Sequence, residues 1–293
     1  MRRLVGEGAV VRVVDNLSTG QVARLGDLRC SIEFIEADLS DEKIAAEVVK
    51  DTDYVLHQAA IPSVQRSVTD PVGTNRANVS ATVNLLESCR KAGVRRLIYA
   101  ASSSAYGDTE ILPKKEDMMP NPLSPYALQK FVGESYCRLY YELYGLETVS
   151  LRYFNVFGPQ QDPNSEYSAV IPKFIRRLLE GEALTVYGDG EQSRDFTFID
   201  NVVEANLLAL QAPEAPGRVC NIGCGERITL SELIRLLEEI TCIEAQVNYA
   251  APKPGDVRHS LADISLARRV LGYEPKVMVK DGLRRAVEAI RGG

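Results

Sequence analysis

Short apolar runs rich in β-branched residues alternate with amphipathic stretches along the first half of the chain. The runs lie at Val10–Val14, Ile32–Ile35, Tyr54–His57, Arg96–Ala101 and Thr148–Leu151 and predict strands. Segments with helical periodicity lie between them, at Asp41–Val49, Asn78–Ala92 and Pro125–Tyr144. This alternation predicts an α/β fold, a doubly wound parallel sheet with helices on both faces.

Beyond Asn155 the pattern loosens, and prolines and glycines interrupt it. Predicted helices remain at Val170–Leu179, Val202–Leu210, Leu230–Ile240, Ile264–Leu271 and Val279–Ile290, with strands at Val219–Ile222 and Ala245–Tyr249. We expect residues 1–154 to form the sheet domain, with residues 195–212 returning to it. Residues 155–194 and 213–293 are expected to form a smaller C-terminal α/β lobe that contains both of these later strands.

Composition excludes several functional classes. The 293 residues include 34 basic and 40 acidic side chains, a net charge of −6, without a run of five like charges, so we expect no nucleic acid partner. Neither a stretch of eighteen apolar residues nor a signal sequence occurs, so we expect no membrane partner and a cytoplasmic location. Six scattered cysteines indicate reduced, buried thiols. Two distant histidines argue against a metal site or a Ser/His/Asp triad.

Polar and small residues follow the first three predicted strands, as Asp15-Asn16, Asp38-Leu39 and Gln58-Ala59-Ala60. Ligands of open α/β sheets bind beyond the carboxyl ends of the strands. There the Asp15 carboxylate can accept hydrogen bonds from ribose hydroxyls, and the Asp38 carboxylate one from an adenine amino group. Each residue alone also fits an ordinary solvated turn, but together they favour a bound dinucleotide.

One expected part of a dinucleotide site is not in the sequence. Such a site begins with a strand, a glycine-rich turn and a helix, but the chain has no glycine fingerprint, and its first strand follows only residues 1–9. Met1–Val5 resembles the last turn of that helix. We therefore expect that the chain begins about one strand-loop-helix late and that it retains the dinucleotide poorly as it stands.

A serine cluster and a tyrosine-lysine pair follow the fourth predicted strand. Ser102, Ser103 and Ser104 come directly after it, and Tyr126 and Lys130 share one face of the next long helix. The Y-x-x-x-K spacing alone is weak, because the chain has 13 tyrosines and a surface pair would look the same. Beside a strand-end serine cluster, however, a lysine ammonium would favour the phenolate of Tyr126 and make it a general acid/base near neutral pH.

From Val11 almost to its C-terminus, the chain resembles the extended short-chain dehydrogenase/reductase family, and within it the NAD-dependent nucleotide-sugar epimerases. The stretches that carry the resemblance are VVDNLSTG at Val13–Gly20, VLHQAA at Val55–Ala60, AASSSAYGD at Ala100–Asp108, PLSPYALQK at Pro122–Lys130, RYFNVFGPQQDPNSEYSAVIPKF at Arg152–Phe174, GDGEQSRDFTFIDNV at Gly188–Val202 and GDVRHSLADIS at Gly255–Ser265. The last three are most similar to UDP-N-acetylglucosamine 4-epimerases. The family's glycine-rich loop is the departure from the pattern.

The resemblance implies NAD as cofactor and 4-epimerisation of a UDP-hexose through a 4-keto intermediate. It implies that Tyr126 is the acid/base, that Ser102 hydrogen-bonds the 4-oxygen, and that Lys130 binds the nicotinamide ribose and lowers the phenol pKa. Asn78 and Tyr153 join the strand-end residues as implied cofactor contacts. The sheet domain then binds the dinucleotide, and the C-terminal lobe binds the UDP-sugar.

For the substrate, the resemblance implies that Arg194, Lys253 and Arg258 bind the diphosphate and that Tyr187 lies against uracil. Ser104, Asn155 and Val170 are further implied substrate contacts. Ser260 stands where the similar galactose-restricted epimerases carry a bulky tyrosine. A serine there leaves room for an acetamido group, so UDP-N-acetylglucosamine/UDP-N-acetylgalactosamine is the expected substrate pair, with UDP-glucose/UDP-galactose as a second pair.

Of three other possible functions, one is disfavoured and two stay open. Dehydratases of this family resemble each other in placing acid/base carboxyl groups where this chain has Ser102–Ser104, so dehydration is disfavoured. A UDP-glucuronate epimerase or decarboxylase is an alternative, and so is a non-catalytic UDP-sugar-binding protein, because the pyrophosphate loop is absent. The resemblance also implies a homodimer through the helices at Asn78–Ala92 and Pro125–Tyr144.

Overall fold

Parallel strands form the centre of the structure, which is a computed structural model that describes residues 1–161, 170–252 and 257–292. The strands are β1 (Arg12–Asp15), β2 (Glu33–Glu36), β3 (Tyr54–His57), β4 (Arg96–Ser102), β5 (Glu147–Tyr153), β6 (Val156–Phe157), β7 (Leu184–Tyr187), β8 (Ser193–Arg194), β9 (Thr197–Phe198), β10 (Val219–Ile222), β11 (Ile228–Thr229) and β12 (Val247–Ala250). Four of them form a parallel sheet in the order β10-β5-β4-β3, and β1 and β2 pair in parallel beside it. The expected α/β fold with a parallel sheet is confirmed.

Helices cover the sheet and build the C-terminal part. They are α1 (Arg2–Gly6), α2 (Glu42–Val48), α3 (Val64–Thr69), α4 (Pro71–Asn75), α5 (Ala81–Ala92), α6 (Pro125–Tyr144), α7 (Val170–Leu179), α8 (Ile199–Gln211), α9 (Leu230–Thr241), α10 (Ser265–Leu271) and α11 (Val279–Arg291). A π-helical turn over Arg76–Ser80 leads into α5, and a 3₁₀ turn over Ser103–Tyr106 follows β4. In the part of the chain that the structure describes, no helix combines the length and apolar character of a membrane span.

The longest helix, α6, is delimited by its own sequence. The Ser124 side chain accepts a hydrogen bond from the Ala127 amide at 3.1 Å, and Pro125 occupies the first turn, where it needs no amide hydrogen. Gly145 ends the helix in the left-handed conformation, at φ 72°. Both ends of α6 lie where the sequence predicted them, because these residues end the helical pattern at the same positions.

Helix α6 lies unusually close to β4. A Cβ atom added at Gly133 would come within 2.3 Å of the Tyr99 hydroxyl oxygen, which leaves no space for any side chain there. Strand β4 is buried on both faces from Arg96 to Ala101, as expected for a strand between two helical layers. The absence of a side chain at Gly133 therefore fixes the depth at which α6 packs on the sheet.

Three apolar clusters fill the interior. One lies between β3, β4, α2, α5 and α6, and a second between α7, β7, α9 and α11. The third cluster joins Ile98, Val149 and Leu151 of the central sheet with residues of α8, β10 and α10. The central sheet therefore shares its core with elements from the C-terminal half of the chain.

The structure corrects several expectations. The strand Val219–Ile222 was expected in the smaller lobe, but it pairs with β5 and extends the central sheet, because its buried side chains pack on the central core. The short helices α3 and α4 were not predicted, since neither is long enough to show a period. Cys30 and Cys242 are exposed rather than buried. Among the described residues, the sheet pairings do not join β1 to β3.

Candidate active site

Three side chains at the carboxyl end of β4 and the start of α6 form what we call the Ser-Tyr-Lys row: Ser102, Tyr126 and Lys130. Ser102 ends β4, and its hydroxyl oxygen lies 2.8 Å from the Ser104 hydroxyl and accepts the Ser104 amide at 3.2 Å. The Ser102 side chain also lies close enough to the Tyr126 phenol to lower its pKa. The structure thus brings the predicted serine and tyrosine together.

Burial sets the acidity of this row. Burial raises the pKa of Tyr126, and the nearby Ser102 side chain lowers it by less. Burial also lowers the pKa of Lys130 to about 8. The Lys130 ammonium donates to the Ala100 carbonyl oxygen at 2.8 Å and lies 5.0 Å from the centre of the Tyr99 ring.

The expected effect of the lysine on the tyrosine does not appear in this geometry. Lys130 was expected to lower the phenol pKa, but its ammonium points to the Ala100 carbonyl, and the Tyr126 pKa is raised. The physical reason is that the phenol is buried, and burial disfavours its anion. The roles of Tyr126 and Lys130 in catalysis remain predictions.

A second polar group lies at the ends of β3 and β5. The Tyr153 hydroxyl contacts Gln58 Oε1 at 3.3 Å and accepts from Asn206 Nδ2 at 2.8 Å. Burial raises the pKa of Tyr153 to about 12, so this hydroxyl stays neutral. Two predicted cofactor residues therefore meet here. Asn206 on α8 was missed, because nothing in the sequence links it to a strand end.

The remaining predicted cofactor residues occupy the neighbouring strand ends. Asn16 Nδ2 donates to Asp38 Oδ2 at 3.1 Å, and Asp15 Oδ1 accepts the Leu17 amide at 2.7 Å. Both carboxylates follow adjacent parallel strands, β1 and β2, so they lie at the same edge of the sheet. This arrangement agrees with the placement expected from the sequence. Leu39, Ala59 and Ala60 follow these strand ends, with Ala59 exposed and the other two half-buried.

Asn78 is placed differently from its expected role. Its side chain is buried, accepts the Ile61 amide at 2.7 Å and donates to Gln129 Oε1 at 2.8 Å. These bonds hold the segment after β3 against α6. Because its side chain is used in these hydrogen bonds and is buried, Asn78 supports the segment after β3 and is not exposed to contact a cofactor directly.

On the other side of the Ser-Tyr-Lys row lies what we call the loop cluster: Asn155, Arg194, Asp195, Arg258 and Ser260. Asn155 adopts a positive φ of 30°, a conformation that asparagine tolerates better than most residues. Its Nδ2 donates to the Asp195 carbonyl and to the Ser260 hydroxyl, at 3.0 Å each. The structure therefore joins two residues that are 105 positions apart in the sequence.

The two predicted arginines also meet in this cluster. Arg194 Nη1 donates to the Arg258 carbonyl at 3.0 Å, and Arg258 Nη2 pairs with Asp189 Oδ2 at 2.8 Å. Beside them a cavity of about 430 Å³ is lined by Glu191, Ser193, Arg227, Thr229, Glu232, Arg258 and His259. Burial and then the charges of Arg227, Arg258 and Arg194 lower the pKa of His259. The cavity thus carries two arginines, Arg227 and Arg258, together with two glutamates, Glu191 and Glu232. The lowered pKa of His259 favours its neutral form.

Arg227 and His259 were not singled out from the sequence, because single loop residues carry no periodicity. Tyr187 ends β7 with 40% of its surface exposed, and β7 pairs with β12. Val170 begins α7 and packs against the second apolar cluster. Lys253, the third predicted diphosphate cation, lies outside the described residues.

Sheet register connects the loop cluster to the Ser-Tyr-Lys row. Ser102 on β4 is the register partner of Tyr153 on β5, and Asn155 follows Tyr153 by two residues. After Ser102, the chain continues to Asp108, whose Oδ1 accepts the Arg258 amide at 3.1 Å. The Ser-Tyr-Lys row, the polar residues at the strand ends and the two arginines thus border one region at the carboxyl ends of the sheet.

Comparison with known proteins points to one reaction. The sequence profile of the NAD dependent epimerase/dehydratase family matches residues 1–223. A solved UDP-glucose 4-epimerase from Thermotoga maritima, in complex with UDP-glucose, is 38% identical, with 99% of this chain and 94% of that chain covered and a TM-score of 0.94. The UDP-glucose 4-epimerase of Thermus thermophilus, solved with NAD, is 36% identical, with coverages of 100% and 94% and a TM-score of 0.91.

A third solved structure carries a different sugar. The UDP-N-acetylglucosamine 4-epimerase of Methanobrevibacter ruminantium M1, in complex with UDP-N-acetylmuramic acid, is 38% identical to this chain. The match covers 96% of this chain and 90% of that one, with a TM-score of 0.92. The similarities agree on the reaction and on the nucleotide, and they divide over the sugar.

Proposed function

The chain belongs to the NAD dependent epimerase/dehydratase family, and we propose that the UDP-sugar it epimerises at carbon 4 is UDP-N-acetylglucosamine, in exchange with UDP-N-acetylgalactosamine. The observation that carries this choice of sugar is Ser260. This small residue is 9% exposed, and its hydroxyl is held by Asn155 in the loop cluster. Because serine is much smaller than tyrosine, it would allow an acetamido group here that a tyrosine would exclude.

The residues of this chain suit the cofactor. Lys130 offers a buried ammonium to which the described residues give one hydrogen-bond acceptor, Ala100, so it has further donors for a ribose hydroxyl. Asp15, Asn16 and Asp38 would hold the adenosine end, and Gln58 with Tyr153 would border the middle. Bound there, NAD would supply the hydride chemistry at carbon 4, as the acceptor of the hydride and then as its donor to the opposite face of the sugar.

Proton transfer is the task of the Ser-Tyr-Lys row. To take the proton of the sugar 4-hydroxyl as the 4-keto intermediate forms, Tyr126 would have to be a phenolate, a form that burial disfavours and that Ser102 favours by lowering the phenol pKa. The phenol would then return the proton to the sugar. The Ser102 hydroxyl, which lies beside the phenol, would hydrogen-bond the 4-oxygen at both stages. The absence of a carboxyl group at residues 102–104 supports epimerisation over dehydration, because elimination needs a further acid/base.

The cations of the loop cluster would neutralise the diphosphate. Arg194 and Arg258 converge through the Arg258 carbonyl, and Arg227 and His259 line the adjoining cavity. Guanidinium groups match phosphate oxygens in geometry and stay charged. Tyr187 is proposed to lie against uracil.

We also propose the division into two functional lobes and a homodimer. The dinucleotide lobe would comprise residues 1–154 and 195–212 together with β10, and the remaining C-terminal residues would bind the UDP-sugar. On α6, Leu128, Tyr136, Leu139 and Leu143 are exposed by 37–66% and lie on one stripe at helical spacing. A second copy of the chain would cover this stripe, and the sedimentation mass of the purified protein tests it.

The choice of sugar is tested with Ser260→Tyr. Overfilling a packed site costs about 1–3 kcal/mol, so turnover of the N-acetylated pair should fall about ten- to a hundredfold, while the glucose/galactose pair is retained. The measurement is kcat/KM on both pairs by coupled assay. Ser260→Ala is the matched control, because it keeps the volume free and should leave both pairs active.

Two results would contradict the proposal. One is a parent enzyme that turns over the glucose/galactose pair but not the N-acetylated pair. The other is an equal loss on both pairs in Ser260→Tyr, because a general disturbance of the site, rather than loss of acetamido space, would then explain it.

A further inference from the structure

Asp195 is a fully buried carboxylate without a part in the chemistry described above. Its Oδ1 accepts the Cys224 amide at 2.7 Å, and its Oδ2 accepts the Gly225 amide at 3.0 Å and the Ala262 amide at 3.1 Å. Hydrogen bonds to a charged acceptor are about twice as strong as neutral ones. One side chain therefore fastens two separate loops by strong bonds.

The two fastened loops come from distant parts of the sequence. Cys224 and Gly225 follow β10, whereas Ala262 lies in the segment that carries Arg258 and Ser260. A third segment joins them, because the backbone carbonyl of Asp195 accepts Asn155 Nδ2 at 3.0 Å. Asp195 is thus the point at which four stretches of chain meet.

The loop cluster depends on this junction. The Ser193 amide donates to the Arg258 carbonyl, and the Ser260 amide donates to the Ser193 carbonyl, at 3.0 Å each. These bonds fix where segment 258–260 lies along residues 193–194, and the Asp195–Ala262 bond closes the same ladder one step further on. The spacing between the two arginines and Ser260 therefore follows from the position of the Asp195 carboxylate.

Close packing prevents the loops from adjusting independently. A Cβ atom added at Gly223 would lie 2.8 Å from Asp195 Oδ2 and 2.6 Å from the Ala262 Cβ. Such contacts leave no room for a displaced loop or a larger group at this point. A change at the carboxylate must consequently be passed on to the segments that bear Arg258 and Ser260.

We propose that Asp195 is a positioning residue of the UDP-sugar site: its carboxylate holds Arg194, Arg258 and Ser260 at the spacing that the nucleotide diphosphate requires. The inference rests on the proposed function in taking a UDP-sugar as the ligand. Asp195 does not touch that ligand in this account, and it acts through the backbone of the loops it binds.

The test is Asp195→Asn, which keeps the shape but turns an amide NH₂ toward backbone N–H donors. We expect Kd for UDP, measured by titration calorimetry, to rise at least about tenfold, because displaced arginines would lose at least one charge-assisted hydrogen bond to the diphosphate. KM for the UDP-sugar should rise by a similar factor while kcat stays within about threefold. A purely structural role would lower stability without this split between KM and kcat.

Asn201 provides the matched control. It is also buried and binds two backbone amides, those of Lys276 and Val277, at 2.9 and 3.0 Å. These bonds tie α8 to a segment outside the loop cluster, and the one contact of Asn201 with the Asp195 junction is a weak hydrogen bond from its Nδ2 to Cys224 Sγ at 3.8 Å. Asn201→Asp should lower the unfolding temperature and leave the UDP affinity unchanged. If Asp195→Asn does not fold, Gly223→Ala tests the same junction, because its methyl group pushes the two loops apart and should weaken UDP binding equally.

The outcomes separate this inference from the proposed function. A folded Asp195→Asn that binds UDP like the parent protein overturns the positioning role, and so does an equal loss of affinity in Asn201→Asp. A parent protein that binds UDP but does not turn over the N-acetylated sugars contradicts the proposed sugar alone. The role of Asp195 would then still be decided by the UDP titrations.

Discussion

The Ser-Tyr-Lys row and the loop cluster border the same region but are held in different ways. Ser102, Tyr126 and Lys130 sit on a strand end and the first turns of a helix, so regular backbone bonds fix them. Arg258 and Ser260 sit in irregular chain and are fixed by hydrogen bonds to residues about 65 to 150 positions away. Regular secondary structure therefore holds the Ser-Tyr-Lys row in place, whereas hydrogen bonds between distant segments hold the loop cluster in place.

This difference suggests a division of labour. Groups that move protons need a geometry that tolerates little error, and secondary structure supplies it. Groups that select a ligand can vary with the loops that carry them. We therefore expect variants of the row to change turnover or folding, and variants of the loop cluster to change affinity and sugar choice.

The largest effect is expected beneath the row, at the buried ion pair of Glu134 and Arg152. Their side chains are 6% and 3% exposed, with Arg152 Nη2 2.6 Å from Glu134 Oε1. Glu134→Gln leaves the guanidinium buried without its counter-charge, and this costs about 3–5 kcal/mol of unfolding free energy. Urea unfolding measures it.

The same helix offers the control for this variant. Glu142 pairs with Arg138 on the exposed side of α6, at 3.5 Å, so Glu142→Gln should change the free energy of unfolding by less than about 1 kcal/mol. Similar losses of unfolding free energy in the two variants would contradict the comparison, because the buried ion pair would then stabilise α6 no more than the exposed pair does.

The next effect separates chemistry from binding. Tyr126→Phe removes one hydroxyl and keeps the ring, so kcat should fall at least about a hundredfold while Kd for UDP stays unchanged. Tyr140→Phe is the control, since its hydroxyl lies on the same helix and hydrogen-bonds Glu87, at 3.4 Å, away from the Ser-Tyr-Lys row. Normal turnover by Tyr126→Phe would remove the tyrosine from the mechanism.

The smallest effect is a pH profile that distinguishes the two regions. Burial raises the pKa of Asp195 to about 6 and lowers that of Lys130 to about 8. Below pH 6 the protonated Asp195 loses an acceptor and UDP-sugar binding weakens. Above pH 8 the neutral Lys130 loses its charge and turnover weakens. We expect kcat/KM, which reports the free enzyme, to fall by up to about tenfold per pH unit on either side.

Two variants identify the group that causes the fall in kcat/KM on the acid side (the acid limb) and on the alkaline side (the alkaline limb) of the pH profile. Asp195→Asn should remove the acid limb, and Lys130→Met should lower the rate and remove the alkaline limb. An acid limb that persists in Asp195→Asn would show that another group, such as the nearby Glu226 that raises the Asp195 pKa, controls binding.

How much the sequence could predict follows from the same contrast. The bounds of α6, α7, β3 and β10 were predicted correctly, because period and capping residues are local signals. Strand β10 was nevertheless assigned to the wrong part of the fold, since pairing partners are not local. Tyr126 and Ser102 could be found from position and resemblance. Asp195, which stands beside the predicted Arg194, was missed because its partners are 29 to 67 residues away.

The close packing at Gly133 also determines where α6 holds Tyr126 and Lys130. Replacing a helical glycine by alanine ordinarily stabilises a helix by about 1 kcal/mol, yet here the added methyl group would meet the Tyr99 hydroxyl at 2.3 Å. Helix α6 would then have to move away from the sheet. Lys130 and Tyr126 would move with it, away from Ala100 and Ser102. The missing side chain at Gly133 therefore sets how closely Tyr126 and Lys130 approach Ser102 and Ala100.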